Sequence, residues 1–304
     1  MICKLLWTVV LLVPVNISAP LAAIAAETLQ WKFQEGEVWL VKLTQKIEAK
    51  TALRDKELQL TSDMKMEFRF RVSKVGSQGV AQLTTSLTRV TIRMEIPGTD
   101  PIQYDSSQQE VPRGELRELA ASISPLINVK FMTTINLRGE IVSVLFPDQT
   151  SKKSKNSNRG NSAIESIFSK QGLKQILRQS FGLLPPKAIK KGQTWSKNYQ
   201  VFSPLGQIKQ HSTFTYLGDE LRNGHRLKKI SVETKIELPQ PANAKDARLK
   251  IQQQQQTGEY YFDSAAGRMV ESEITQRLVV ESSNQGKLVK TESTSLLRMT
   301  IVLR

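Results

Sequence analysis

The sequence predicts a mainly β protein of the α+β kind, in which one large curved antiparallel sheet of long strands carries two amphipathic helices. Three observations lead there. Apolar and polar residues alternate with period two over long stretches, turn residues separate those stretches, and only two segments show helical periodicity. Alternation gives each strand one apolar and one solvated face, as in a half-buried antiparallel sheet. A parallel sheet buried on both faces would read as continuous apolar runs.

The first strand carries Trp39, Val41, Leu43 and Ile47 in phase. In the second, Met64, Met66, Phe68, Phe70 and Val72 alternate with Lys65, Glu67, Arg69, Arg71 and Ser73. Gly76-Ser77-Gln78-Gly79 turns the chain into a third strand whose phase changes partway. Leu83 and Leu87 lie on its odd face, whereas Val90, Ile92, Met94 and Ile96 lie on its even face. One extra residue near Thr88, a bulge, accounts for the switch. A first helix is expected from about Gly114 to Ile123, ending before Pro125. Arg138-Gly139 marks another turn.

A second helix is expected from about Ala163 to Phe181, opened by a Ser162/Glu165 capping box. Its apolar stripe holds Ile164, Ile167, Phe168, Leu173, Ile176, Leu177 and Phe181. Lys170, Lys174 and Arg178 form a basic stripe on the other side. A basic amphipathic helix can lie on an anionic membrane, but Gly172 weakens this one as a stand-alone binder and favours packing on the sheet. Further strands carry Ile230, Val232, Ile236 and Leu238, then Val270, Ile274, Leu278 and Val280, then Leu297, Met299, Ile301 and Leu303. Asn223-Gly224, Asp263 to Gly267 and Asn284-Gln285-Gly286 supply their turns. Five glutamines, Gln252 to Gln256, sit inside an expected strand whose middle faces solvent or a polar groove. Roughly ten to twelve strands are expected, many beyond the usual five or six residues.

Residues 1–25 read as a secretory signal peptide, with Lys4, the apolar run Leu5 to Val13, and small residues up to Ala25-Ala26. The run is shorter than the roughly 20 apolar residues a membrane span needs. The single cysteine, Cys3, leaves with the leader, so the exported chain has no disulfide, thiol nucleophile or cysteine metal site. Residues 26–148 form an N-terminal β-rich half, residues 149–161 a wholly polar flexible loop, and residues 162–304 a helix plus a C-terminal β-rich half. The halves share features. Lys32 to Trp39 and Ala188 to Trp195 both read Gly-x-x-Trp into a strand, and Gly139 and Gly267 each turn into a later strand. This order suggests an ancient duplication.

The formal net charge is +15, and only Lys4 of it lies in the leader. Such a field favours anionic partners, namely phospholipid head groups, acidic cell-wall polymers or nucleic acid, although the scattered charges read first as a solubilising surface rather than a dedicated anion site. Clusters occur at Lys152-Lys153-Lys155-Arg159, at Lys187-Lys190-Lys191 and at Arg226-Lys228-Lys229. Aromatic residues do not interleave with them, which disfavours nucleic acid.

No residue is nominated as catalytic, cofactor-binding or metal-binding. His211 and His225 lack partners at ligand spacing, and nucleophile-elbow, phosphate-loop, dinucleotide and calcium-loop motifs are absent. No cofactor is expected. Glu115, Glu118, Asp219, Glu220, Asp263, Glu271 and Glu273 could in principle pair across a cleft for hydrolysis, but each reads better as turn chemistry or a solvated strand face.

Two stretches, Leu184 to Trp195 and Tyr261 to Ser272, resemble an uncharacterised bacterial family of exported β-rich domains of unknown function. At the level of architecture the chain is also similar to bacterial lipoprotein-carrier folds. That resemblance implies a curved sheet wrapped around helices and sheltering acyl chains. The leading expectation is an exported, non-enzymatic protein that binds an apolar or anionic envelope component. The alternatives are a structural or protein-interaction role in the envelope, and a carboxylate-dependent glycan or ester hydrolase.

Overall fold

The structure, a computed structural model, describes residues 26–53, 56–108, 115–147, 169–203, 206–238, 247–284 and 287–304. The leader, the polar loop 149–161, the Lys152 cluster and the Gln285-Gly286 turn lie outside these residues.

Twelve antiparallel strands form one open sheet. The first six are β1 (Val38–Leu53), β2 (Lys56–Val75), β3 (Ala81–Glu95), β4 (Ile102–Asp105), β5 (Phe131–Ile135) and β6 (Ile141–Leu145). The second six are β7 (Thr194–Ser203), β8 (Gly206–Arg222), β9 (His225–Glu237), β10 (Ala247–Asp263), β11 (Arg268–Asn284) and β12 (Lys287–Leu303). The path across the sheet runs β6-β5-β3-β2-β1-β12-β11-β10-β9-β8-β7, with β4 paired to the free side of β3. β1 and β12 join the two halves, so β6 and β7 are the outer edges. Two helices, α1 (Glu115–Ile123) and α2 (Lys170–Phe181), complete the described elements with a 3₁₀ turn at Ser124–Leu126.

The alternation carries through at residue level. Trp39, Val41, Met66, Phe68, Phe70, Val72, Met299 and Ile301 are all buried. Glu67 pairs with Arg89 and Phe68 with Leu87, so Thr88 is the extra residue of a bulge, and its hydroxyl donates to the Glu67 carbonyl at 3.0 Å. The phase change expected there is real. Leu87 and Val90, on opposite parities, both face the core. A second bulge corrects the reading of β11. Tyr261 pairs with Glu271 and Phe262 with Met269, so the fully buried residue is Met269, and Val270 is the extra one.

The second helix also differs from expectation. Ser169 is extended (φ −74°, ψ 161°), and its hydroxyl accepts from the Gly172 N–H at 2.9 Å, which caps a helix starting at Lys170. No helix runs continuously through Ser169. The Ser162/Glu165 box lies outside the described residues.

One end of the sheet is closed by residues 26–33. Glu27 bridges Ile189, the Trp31 N–H donates to Leu137, and the Lys32 N–H donates to Gly267, both at 2.8 Å. Trp31 sits among Trp39, Phe181 and Phe262 with ring centroids 5.4–6.2 Å away. Burying each such ring contributes roughly 1.5–3 kcal/mol. Among the described residues the Trp31 and Trp39 indole N–H groups have no hydrogen-bond partner. The two strand openings share one local structure. Gly36 and Gly192 both have φ +85°, which favours glycine. The Gly36 N–H donates to Val72 (2.9 Å) and the Gly192 N–H to Tyr216 (2.7 Å), while Val72 and Tyr216 donate back to Glu37 and Gln193.

Candidate functional site

Away from the aromatic end, the inner face of the sheet changes character. Register places Trp195, Phe214, Val232, Gly258, Ile274, Leu297 and Gln45 in one cross-strand row. The next row holds Ser212 opposite Thr234, then Gln256 opposite Gln276 and Ser295. These inward positions carry polar but uncharged side chains, so the face cannot close by apolar packing alone.

A cavity of about 300 Å³ results, walled by β1, β2, strands β7 to β12 and α2, within the size range of about 300–1,000 Å³ typical of ligand sites. Its apolar wall includes Leu43, Met64, Met66, Ile274 and Met299, with Ile176 from α2. Its polar wall includes Gln210, Ser212, Thr234, Gln256 and Gln276. Among the described residues no Lys, Arg, Asp or Glu lines it. The Ser212 and Thr234 hydroxyls are buried and bond each other at 2.8 Å, while the Gln276 amide donates to Gln256 at 3.4 Å.

The sheet forks beside this cavity. β9 and β10 pair only from Thr257–Glu233 to Phe262–Lys228, although β9 continues to Glu237 and β10 begins at Ala247. Beyond the fork the Gln254 side-chain oxygen accepts from the Ile236 N–H at 2.7 Å, so a side chain bridges the two strands where their backbones no longer pair. Gln252 is a bulge residue, so Ile251 and Gln254 both keep the inward phase. The glutamine run is thus a strand, as expected. Gln252 to Gln255 are exposed, and Gln256 lines the cavity.

A second hollow of about 750 Å³ lies between the sheet edges β6 and β7, with α2 as its floor. Among the described residues, Arg138, Lys174, Arg178 and Lys197 line it against one acid, Glu140. Lys197 and Arg138 reach Glu140 at 3.3 and 2.9 Å. Burial pushes the Glu140 carboxyl up, but the Asn136 amide, Arg138 and Lys197 together hold it below the ordinary glutamate value. Burial lowers the Lys197 ammonium, and Glu140 restores it only in part, because Lys197 is the more enclosed partner. Tyr199 alone among the described residues lines both hollows. Its hydroxyl donates to the Gly182 carbonyl at 3.2 Å, and burial raises its pKa above the ordinary value.

The residues weighed for chemistry do not assemble. His211 is exposed on β8 with Asn198 as partner at 2.6 Å, and His225 is exposed beside the Asn223-Gly224 turn. Asp263 accepts from the Ala266 N–H at 2.9 Å, the turn chemistry expected. Glu271 pairs with Arg222 (2.9 Å) and Glu273 with Arg298 (2.6 Å). Glu220 pairs with Lys229 (2.9 Å), which also reaches Glu259. Glu118 lies on α1, where its carbonyl accepts from the Ser122 hydroxyl at 3.0 Å. Glu115 starts that helix. Among the described residues neither of these two hollows holds two facing carboxylates, whereas a third hollow of about 530 Å³ is lined by Glu233, Glu259 and Glu273, of which Glu259 pairs with Lys229 and Glu273 with Arg298. Among the described residues no three His, Cys, Asp or Glu side chains group as metal ligands.

The Arg226-Lys228-Lys229 cluster is paired with acids. Asp219, Glu220, Glu259 and Glu27 neutralise it, with Lys228 held by Glu27 at 2.5 Å and Asp219 at 2.6 Å. Sequence reading missed the cavity lining. The available signal was the run of Ser, Thr and Gln at inward phases of β8, β9, β10, β11 and β12.

Among solved structures the chain is similar to lipovitellin, from a study of its lipid–protein interactions, at 14% identity and a TM-score of 0.45. That likeness covers 90% of this chain and 25% of the lipovitellin chain, so the chain spans about a quarter of that protein's length. It is also similar to a Bacteroides fragilis protein with a YmcC-like fold (9% identity, TM-score 0.27, 88% and 96% covered). An outer membrane channel from Pseudomonas putida is similar at 8% identity and a TM-score of 0.25, with 90% and 97% covered. None of these likenesses bears on what the chain does. No curated protein matches it. A family model matches residues 78–269, more than half of the chain, taking in the Leu184–Trp195 stretch and most of the Tyr261–Ser272 stretch. The chain belongs to this family, the family of unknown function DUF6263.

Proposed function

We propose that this chain is an exported, non-enzymatic binding protein that shelters the apolar part of an envelope amphiphile in the inner cavity. The carrying observation is that, among the described residues, none that lines the cavity is charged, in a protein whose residues are 23% charged. Apolar walls supply the free energy of transfer, at about 25 cal/mol per Å² removed from water. The Ser, Thr and Gln side chains offer hydrogen bonds to ester, hydroxyl or amide groups, which are costly to bury unpaired. The leader supports export, and no described helix is long and apolar enough to cross a membrane.

The test is uptake of 1-monooleoylglycerol by the purified protein, followed by fluorescence displacement. Ser295→Phe places a ring in the cavity from a half-buried position. It should abolish uptake while leaving the melting temperature within a few degrees. Equal uptake by both proteins would contradict a cavity site. An interaction role keeps one specific support: on the β6 edge Val142 and Leu145 are 59% and 61% exposed. Uptake failing in the parent protein would favour it.

A further inference from the structure

The cavity leaves the basic stripe of α2 without a role. Ile176 and Ser180 face the cavity, whereas Lys174 and Arg178 face the cleft between β6 and β7. Among the described residues neither Lys174 nor Arg178 forms an ion pair, and Arg138 and Lys197 share the one carboxylate of Glu140. Among the described residues, four cations against one anion, gathered in a concavity from the β5–β6 turn, α2 and β7, leave the cleft in excess of positive charge. Scattered surface lysines do not produce this. Three separate elements converge on one hollow, and an enclosed ammonium, Lys197 at 16% side-chain exposure, lies in it with only a shared counter-ion. A half-compensated cation as enclosed as Lys197 is costly until an anion arrives, whereas Arg178 and Arg138 are exposed and able to meet one.

Position adds to charge. Tyr199 is the wall that cavity and cleft have in common, so an apolar chain on one side and an anion on the other are separated by one aromatic ring. We infer that the cleft binds the phosphate of an amphiphile whose apolar chain occupies the inner cavity, with Lys174 and Arg178 as the residues that select it. Guanidinium and ammonium donors suit phosphate oxygens, with arginine able to engage two at once. This inference rests on the cavity-binding reading.

The test compares three probes below their micelle-forming concentrations. They are 1-oleoyl-lysophosphatidylglycerol, 1-monooleoylglycerol with the same chain and no phosphate, and inorganic phosphate alone. The parent protein should bind the phosphate-bearing lipid about tenfold more tightly than the neutral one, the factor expected of one or two charge-assisted hydrogen bonds. The double variant Lys174→Gln/Arg178→Gln should lose that preference and keep neutral-lipid affinity within about twofold. Raising salt from about 50 mM to about 500 mM on the unaltered protein should erode the preference in the same way, which guards against a variant that folds poorly. Binding of both lipids with equal affinity overturns the inference and leaves the cavity reading intact. Binding of neither overturns both. Inorganic phosphate bound as tightly as the lipid, and released by the double substitution, overturns the head-group assignment in favour of a free-anion site.

Discussion

The Tyr199 hydroxyl donates to the Gly182 carbonyl just past the end of α2, at 3.2 Å, and holds the ring between an uncharged cavity and a basic cleft. Tyr199→Phe keeps the ring and removes one hydrogen bond, so it should cost about 1 kcal/mol in urea unfolding. Tyr199→Ala removes the wall. Competition among monoacylglycerols should then show a shift of preference toward longer chains, and an unchanged chain-length profile would count against the wall.

Gly139 and Gly192 make a matched contrast. Both have positive φ, +78° and +85°. A methyl at Gly139 would overlap the Phe181 carbonyl oxygen and the Trp31 indole nitrogen, both part of the buried end, whereas a methyl at Gly192 meets nothing within 4 Å. Gly192→Ala should therefore cost only the left-handed backbone term, about 1–2 kcal/mol. Gly139→Ala should cost clearly more, since overpacking adds a further 1–3 kcal/mol or so. Chemical denaturation of the two variants checks the order, and equal losses would contradict the packing described for Trp31.

Lys228 ties the N-terminal segment to the sheet through Glu27 and Asp219. Lys228→Met should loosen residues 26–33, seen as faster amide exchange at Trp31 and Lys32, and cost about 1.5–3 kcal/mol, the range for hydrogen bonds to charged groups. Unchanged exchange there would show that Ile189 and Gly267 hold the segment unaided.

Stability should fall at both pH extremes, for opposite reasons. The Lys228 ammonium holds the Asp219 carboxyl below its ordinary value, and the Arg89 guanidinium, at 2.6 Å, does the same for Asp105. A depressed carboxyl stabilises the fold above the unfolded value of about 4, and that contribution is lost as pH falls further. Burial raises the Tyr216 hydroxyl from 10.0 to about 12, so the unfolded chain loses this proton first and stability drops as pH rises from 10 to 12. Melting temperatures across pH 2–12 should show both limbs, and Asp219→Asn should flatten the acid one. An acid limb of full depth in that variant would rule out the Asp219–Lys228 contribution.

Much of the fold was legible because a period-two pattern states which side chains face inward. The Thr88 bulge was readable since Leu87 and Val90 could not otherwise share a face. The Val270 bulge was not, because Met269 and Val270 are both apolar and either could be buried. The break at Ser169 was not legible because Ser162/Glu165 already offered a cap and the apolar stripe runs on through Ser169, whose extended backbone shows only in the structure. The site was the least legible part. Gln256, Gln276, Ser295 and Ser212 are distant in sequence, and only the strand register makes them neighbours. The neutralisation of Lys228 and Lys229 likewise depends on Glu27 and Glu259 arriving from other strands and segments.

Native mass spectrometry of the protein purified from its own host tests the cavity most directly. The expected result is a bound apolar mass that organic solvent releases from the parent protein and that Ser295→Phe lacks. A ligand-free parent protein that also fails to take up 1-monooleoylglycerol would contradict the proposed role.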